Sequence, residues 1–283
     1  MKAGKLNAFF THYNYSDSTI QKYRYILELL LEDIPNIKNM DAPTLAQWLS
    51  SKNWGVSFRY VALCAVRKYL RHYYGEVHPA LNLRLPRGKR KPQRTLNMPE
   101  LKTLLGSFNT STPKGVRDLS MCTLFVDTGL RVSEVVRLSL HYLSLTDHTL
   151  DVIVKGGDWE RKKFSAYTSA CLVHWLAYRS QLAKPGIDKV YVGIRHGRGM
   201  TRDGVKIEVA KWGKRAGLKK ISPHVFRRTF ATLTARLGAP QSIAMLAGGW
   251  RDVKTFRGYV QALQVDDIEP YLPISAAMGI NES

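Results

Sequence analysis

The sequence predicts a mostly α-helical protein of two domains with one small β-sheet. Three observations carry this expectation. Apolar residues recur at helical spacing along most of the chain, a short basic stretch with prolines and a glycine interrupts them around Lys91, and strand-type alternation is confined to one segment around Lys155. With 283 residues, of which 45% are hydrophobic, the chain is long enough for two cores and too apolar to be disordered. It contains no run of about 18 apolar residues, so no transmembrane helix is expected. The start, Met1-Lys2-Ala3-Gly4-Lys5, leads into no long apolar region, so a secretory signal is not expected and the cytoplasm is the expected location.

The first domain reads as all-helical. Ser16-Asp17-Ser18 offers N-caps, and Ile20, Tyr23, Ile26/Leu27 and Leu30/Leu31 follow at helical spacing until Pro35. A short helix is expected over 44–51, with Leu45, Trp48 and Leu49 on one face. A third is expected over 57–74, with Val61, Cys64/Ala65, Lys68/Tyr69 and His72 as its stripe and Gly75 closing it. In that helix Arg59, Arg67, Lys68 and Arg71 mix with Tyr60, Tyr69, Tyr73 and Tyr74, which suits a duplex backbone. A solvated face around an aromatic stripe accounts for the same pattern. Six of the eleven residues Arg84–Arg94 are basic and none is acidic, and Pro86, Gly88 and Pro92 argue against helix and central strand. This is the expected interdomain linker, with Arg87, Lys89, Arg90 and Lys91 placed to lie along phosphates.

The second domain opens on a capping box of the N-x-x-E type, Asn97–Glu100. A long apolar helix is expected over 116–128 with Gly129 as its C-cap, then a short helix carrying Arg131 and Glu134. Residues 149–155 alternate, Gly156-Gly157-Asp158 turns, and 161–167 returns, which makes a hairpin. Helices are expected over 169–182, 202–216, 223–237, 241–247 and 253–260, and a short one over 266–272. Cys64, Cys122 and Cys171 are far apart, each within a helical apolar pattern. With no Cys/His cluster they read as buried, reduced thiols, and no metal or other cofactor is expected.

The net charge is +21. Residues 1–93 carry 15 basic and 6 acidic side chains and residues 94–283 carry 28 and 16, so both halves are basic. A polyanionic partner touched by both, most simply double-stranded DNA, fits this balance.

Five residue types then define a chemistry. Arg131 lies at a helix start with Glu134 one turn on, while His224 and Arg227 share one face of a helix behind Pro223. Two guanidiniums can donate forked hydrogen bonds to the non-bridging oxygens of a phosphodiester and stabilise the charge that develops there. A tyrosine, Tyr259, is a usable nucleophile whose phosphoester is reversible. A histidine can move the phenolic proton, and a lysine on the hairpin, Lys155, can protonate a departing 5′-oxygen.

In these motifs the chain resembles the tyrosine recombinases, or phage-integrase family. Thr128–Leu138 resembles the family's T-G-L-R-x-S-E-x-x-x-L signature, and Lys155-Gly156 its K-G, 24 residues after Arg131. His224-x-x-Arg227 resembles the H-x-x-R box, with Tyr259 35 residues after His224. Trp250, nine residues before Tyr259, stands where most members have histidine and Cre-like members tryptophan, whose indole N–H can donate to a phosphate oxygen. The usual L-G-H reads Gly248-Gly249-Trp250, Arg228 replaces a common histidine, and the polar hairpin leaves Lys162 and Lys163 as alternatives to Lys155.

The resemblance implies a helical, SAM-like core-binding domain (1–85), a linker (86–95) and a mixed α+β catalytic domain (96–283), whose tail from about residue 265 docks on a neighbouring protomer. It implies cleavage through a 3′-phosphotyrosine on inverted-repeat DNA sites, two of them synapsed by a homotetramer, without metal. Because the sequence starts almost directly with the core-binding region, the compact Xer-like, Cre-like or cointegrate-resolving type serving a mobile element is expected ahead of an arm-binding integrase. A DNA-binding protein with a dead site and a type IB topoisomerase are the readings of other classes.

Overall fold

The computed structural model describes residues 2–86, 93–154 and 157–260, with the side chains of residues 2, 3, 255, 257 and 259 outside that description. The chain divides into two compact units, residues 1–90 and 91–283. The expected linker contacts at Arg87, Lys89, Arg90 and Lys91, the loop pair Lys155-Gly156, and the tail with its expected helix over 266–272 lie outside the described residues.

The first unit is helical, as expected. It holds α1 (Lys2–His12), α2 (Asp17–Asp33), α3 (Ala42–Ser51) and α4 (Val56–Tyr74), with 3₁₀ turns at Ile37–Asn39 and Pro79–Asn82. Helix α1 adds to the expected set, and its Leu6, Phe9 and Phe10 are buried at i, i+3 and i+4. Helix α2 stops at Ile34, the residue before Pro35, because a proline disfavours helical backbone in its predecessor. Asp41 caps α3 by accepting from the Thr44 N–H at 2.8 Å.

Helix α4 corrects one expectation. Its buried face is Ala62, Leu63, Ala65, Val66, Tyr69 and Leu70, so Cys64 and Lys68 are exposed. The branched Leu63, Val66 and Leu70 bury apolar area with no polar atom to satisfy, and this turns the expected stripe toward them. Of the three thiols, only Cys122 is fully buried.

The second unit is built on α6 (Pro113–Thr128), which is buried over most of its circumference. Helix α5 (Met98–Gly106) begins at the expected capping box: Asn97 Oδ1 accepts from the Glu100 N–H at 2.9 Å, and Glu100 Oε2 from the Asn97 N–H at 3.1 Å. After α6 come the single turn α7 (Val132–Val135), a three-stranded antiparallel sheet, and helices α8 (Ala166–Leu182), α9 (Arg202–Arg215), α10 (Pro223–Arg236), α11 (Gln241–Gly248) and α12 (Val253–Tyr259). Helix α6 packs against α8 and α10, with Phe125 stacked on Phe226 at 5.7 Å.

The sheet runs β1 (Leu143–Ser144), β2 (Thr149–Ile153), β3 (Trp159–Lys163) in spatial order, with Ile153 opposite Trp159. The return strand therefore begins at Trp159 rather than Arg161 and ends four residues before the expected Tyr167. Asp127 explains the early end. Its Oδ2 accepts from the Ser165 N–H at 2.9 Å and from the hydroxyls of Ser165 and Thr168, each at 2.6 Å, which starts α8 at Ala166. Past the last β2–β3 pair, the Val154 N–H donates to the Asp158 carbonyl at 2.9 Å.

Candidate active site

The site begins at Gly129. It ends α6 in the left-handed conformation (φ 60°), and a Cβ there would fall 2.8 Å from Cδ1 of Phe230. Glycine thus satisfies both the backbone turn and the close approach of α10. One turn before Phe230 on α10, Arg227 donates from Nη1 to the Gly129 carbonyl at 2.6 Å. The same turn delivers Arg131, the N-cap residue of α7.

Glu134 holds Arg131 from two sides. Its Oε2 accepts from the Arg131 backbone N–H and its Oε1 from Nη1, both at 2.7 Å. The Glu134 side chain is 2% exposed and that of Arg131 35%, so the carboxylate is the buried anchor and the guanidinium reaches outward. The predicted i,i+3 support of Arg131 by Glu134 is this pair.

Arg227 is 2% exposed, with its guanidinium carbon 4.3 Å from the Trp250 ring centroid. Trp250 is itself buried, stacked on Phe230 at 6.0 Å and edge-on to Phe256 at 5.2 Å. The indole therefore forms the wall behind Arg227, a cation–π contact worth about 1–2 kcal/mol when desolvated.

His224 sits one turn before Arg227 on α10, with its residue surface exposed. Partial desolvation, followed by the positive charges of Arg228, Arg227, Arg131 and Lys206, holds its pKa below the ordinary histidine value. The ring is neutral at pH 7 and able to accept a proton.

Two openings flank Arg131. One, a cavity of about 260 Å³, is lined by Arg131, His224 and Arg227 together with Arg202 and Lys206. The other, of similar volume, is lined by Arg131, Glu160, Trp250 and Arg251. Arg202, Lys206, Glu160 and Arg251 were not singled out by the sequence motifs. The signal for the first two is a basic i,i+4 pair opening α9 behind the N-cap Thr201.

Lys162 and Lys163 are tied down. The Lys162 side chain is 2% exposed, and its ammonium donates to Glu160 Oε2 at 2.7 Å and to the Ala247 carbonyl at 2.8 Å. Lys163 donates to the Asp147 carbonyl at 2.6 Å, beside the β1–β2 turn. Tyr259 is the last residue of α12, and its side chain is outside the described residues.

In the first unit, Arg67 donates to the carbonyls of Leu81, at 3.3 Å, and Leu83, which ties α4 to the segment that follows it. Arg71 pairs with Glu76 at 2.8 Å, Lys68 lies 5.4 Å from the Tyr13 ring centroid, and Arg59 is half-buried. Among the described residues, no helix is long and apolar enough to cross a membrane.

Residues 94–265 match the phage integrase family. The tyrosine recombinase XerD of Listeria innocua is 31% identical over 217 residues, 74% of this chain and 73% of that one. The XerD of Vibrio cholerae is 27% identical over 269 residues, 86% of this chain and 85% of that one. Among solved structures, the Tn1549 transposon integrase in complex with transposon right end DNA covers 96% of this chain and 98% of its own, with TM-score 0.77 at 14% identity. The XerH site-specific recombinase bound to palindromic difH substrate covers 92% and 79%, with TM-score 0.72 at 22% identity. The fold, the signature residues and these relatives agree: the chain belongs to the phage integrase family and is a tyrosine site-specific recombinase.

Proposed function

We propose that the chain cuts and rejoins duplex DNA at inverted-repeat sites through a 3′-phosphotyrosine on Tyr259, without a metal ion, with two sites held in a homotetramer. The observation that carries this is the meeting of Arg227 with Gly129, 98 positions away, which sets two guanidiniums around one turn. Arg131 and Arg227 bind the non-bridging oxygens of the scissile phosphate and stabilise the charge that builds there. Glu134 orients Arg131. His224, neutral before DNA arrives, takes the phenolic proton as Tyr259 attacks phosphorus and the 5′-oxygen leaves. Trp250 backs Arg227 with the face of its buried ring. The basic residues of α4 and of the linker follow the phosphate backbone, and the protein works on DNA in the cytoplasm, resolving cointegrates or dimers of a mobile element.

The test is a supercoiled plasmid carrying two copies of an inverted-repeat site taken from the DNA beside the gene, incubated with protein in EDTA. Recombinant circles and a four-protomer synapse are expected. Relaxation without recombinants, by monomers on any supercoiled DNA, would favour the type IB topoisomerase reading. Cleavage lost in EDTA and restored only by Mg²⁺ would refute the metal-free mechanism.

Lys155 is the proposed general acid, on the hairpin between β2 and β3. Lys155→Ala is expected to slow cleavage of normal DNA by about 10²–10⁴ and to be near wild type on a bridging 5′-phosphorothiolate, whose thiolate leaves unprotonated. An equal defect on both substrates would remove Lys155 from that role.

A further inference from the structure

On β3, alternate residues face opposite ways, so Glu160 and Lys162 share one face while Trp159, Arg161 and Lys163 take the other. The outer face is accounted for by the cross-strand pair Arg161–Asp151, at 2.9 Å. The inner face meets α11, where a strand does not usually spend a buried charge. Lys162 delivers its ammonium to the Ala247 carbonyl, in the last turn of α11, and to Glu160. Glu160 in turn lies against Gly249. That residue is left-handed (φ 67°), and a Cβ there would fall 2.2 Å from Glu160 Oε2. On the other side, a Cβ on Gly248 would fall 1.8 Å from the Trp250 ring. The turn Gly248-Gly249 is thus pressed between a carboxylate and an indole, with no room for a side chain.

The contacts continue inward. Trp250 follows this turn and lies against the Arg227 guanidinium at 4.3 Å. Glu160 lines the same opening as Trp250 and Arg131. The Lys162 ammonium feels the charges of Arg227 and Glu134 as well as that of Glu160.

We propose that Glu160 and Lys162 are positioning residues for the cleavage step: they clamp the Ala247–Gly249 turn, which sets Trp250, which sets the Arg227 guanidinium against the scissile phosphate. This deepens the reading of Arg227 as a phosphate-binding residue and rests on it. The clamp acts through Arg227 and touches no reacting atom, so it shapes how charge on the phosphate is met and leaves the tyrosine and the leaving group alone.

The test compares two half-site substrates, one with the normal scissile phosphodiester and one with an uncharged methylphosphonate at that position, which needs far less from a guanidinium. Glu160→Gln keeps the shape of the side chain and removes its charge; Lys162→Met removes the ammonium. Each is expected to slow adduct formation on the phosphodiester by about 10- to 100-fold and on the methylphosphonate by less than about threefold, relative to wild type on the same substrate. Half-site affinity, dominated by spread phosphate contacts, stays near wild type. Equal slowing on both substrates would reduce the pair to a structural brace, and a wild-type rate on the phosphodiester would remove it from the reaction; either overturns the assignment. Should Lys162→Met fail to fold, Glu160→Gln decides the matter alone. Wild-type protein that forms no adduct on either substrate would overturn the catalytic reading itself, an outcome distinct from both.

Discussion

Tyr259→Phe is expected to bind its half-site as tightly as the wild type and to form no covalent adduct. Phenylalanine keeps the ring, so whatever packing the end of α12 makes is preserved, and only the attacking oxygen is lost. Affinity rests on many phosphate contacts from a chain of net charge +21, and one phenol contributes little to it. Because the first chemical step is the formation of a bond to that oxygen, the expected loss is total rather than partial. Denaturing gels of protein with a nicked half-site read it directly. An adduct that persists in Tyr259→Phe would transfer the role to another residue, with Tyr271 the next tyrosine along the chain.

Arg227→Ala is expected to lose about 10³ in the rate of adduct formation, roughly 4 kcal/mol of transition-state stabilisation, with little change in half-site affinity. Arg227 is almost wholly buried and its position is fixed by the Gly129 carbonyl and the Trp250 ring, so its charge acts where water screens it least. Arg131, more exposed and held by Glu134, is expected to cost less, about 10². Removing Arg227 also strips the Gly129 carbonyl of a donor and leaves space beside Trp250, so thermal melting should accompany the kinetics. Arg227→Lys separates the effects, since an ammonium keeps the charge and loses the planar fork. A loss of cleavage matched by an equal loss of binding would contradict a catalytic role for either arginine.

How much of this was legible in the sequence depended on the range of the interactions involved. Local signals were read well: the Asn97–Glu100 capping box, the stop of α2 before Pro35, Gly75 and Gly129 as helix ends, and Glu134 one turn from Arg131. Each depends on contacts within four residues. The ordered motifs also reached across the chain, because family resemblance carries long-range information that periodicity does not.

What was misread is decided by distant partners. The β3 strand ends early because Asp127, on α6, captures Ser165 and Thr168. Helix α4 turns Leu63, Val66 and Leu70 to the core and leaves Cys64 outside because that face meets the other helices of the first unit. Strand β1 is only two residues long, too short for a period to show. Helix α1 had its signal in Leu6, Phe9 and Phe10, a stripe of only three residues within about one turn. The burial of Lys162 had no local signal, since in sequence Arg161-Lys162-Lys163 is a run of three cations. The alternation of β3 turns the middle one to the face it shares with Glu160, and the approach of α11 buries it there.

The central claim is that Tyr259 becomes joined to DNA. It is tested most directly by trapping wild-type protein on a nicked half-site in EDTA, digesting the adduct with protease and nuclease, and mapping the modified peptide by mass spectrometry. The expected result is a single peptide containing Tyr259 that carries a nucleotide through its 3′-phosphate. A nucleotide on any other residue, a linkage through a 5′-phosphate, or no linkage at all would contradict it.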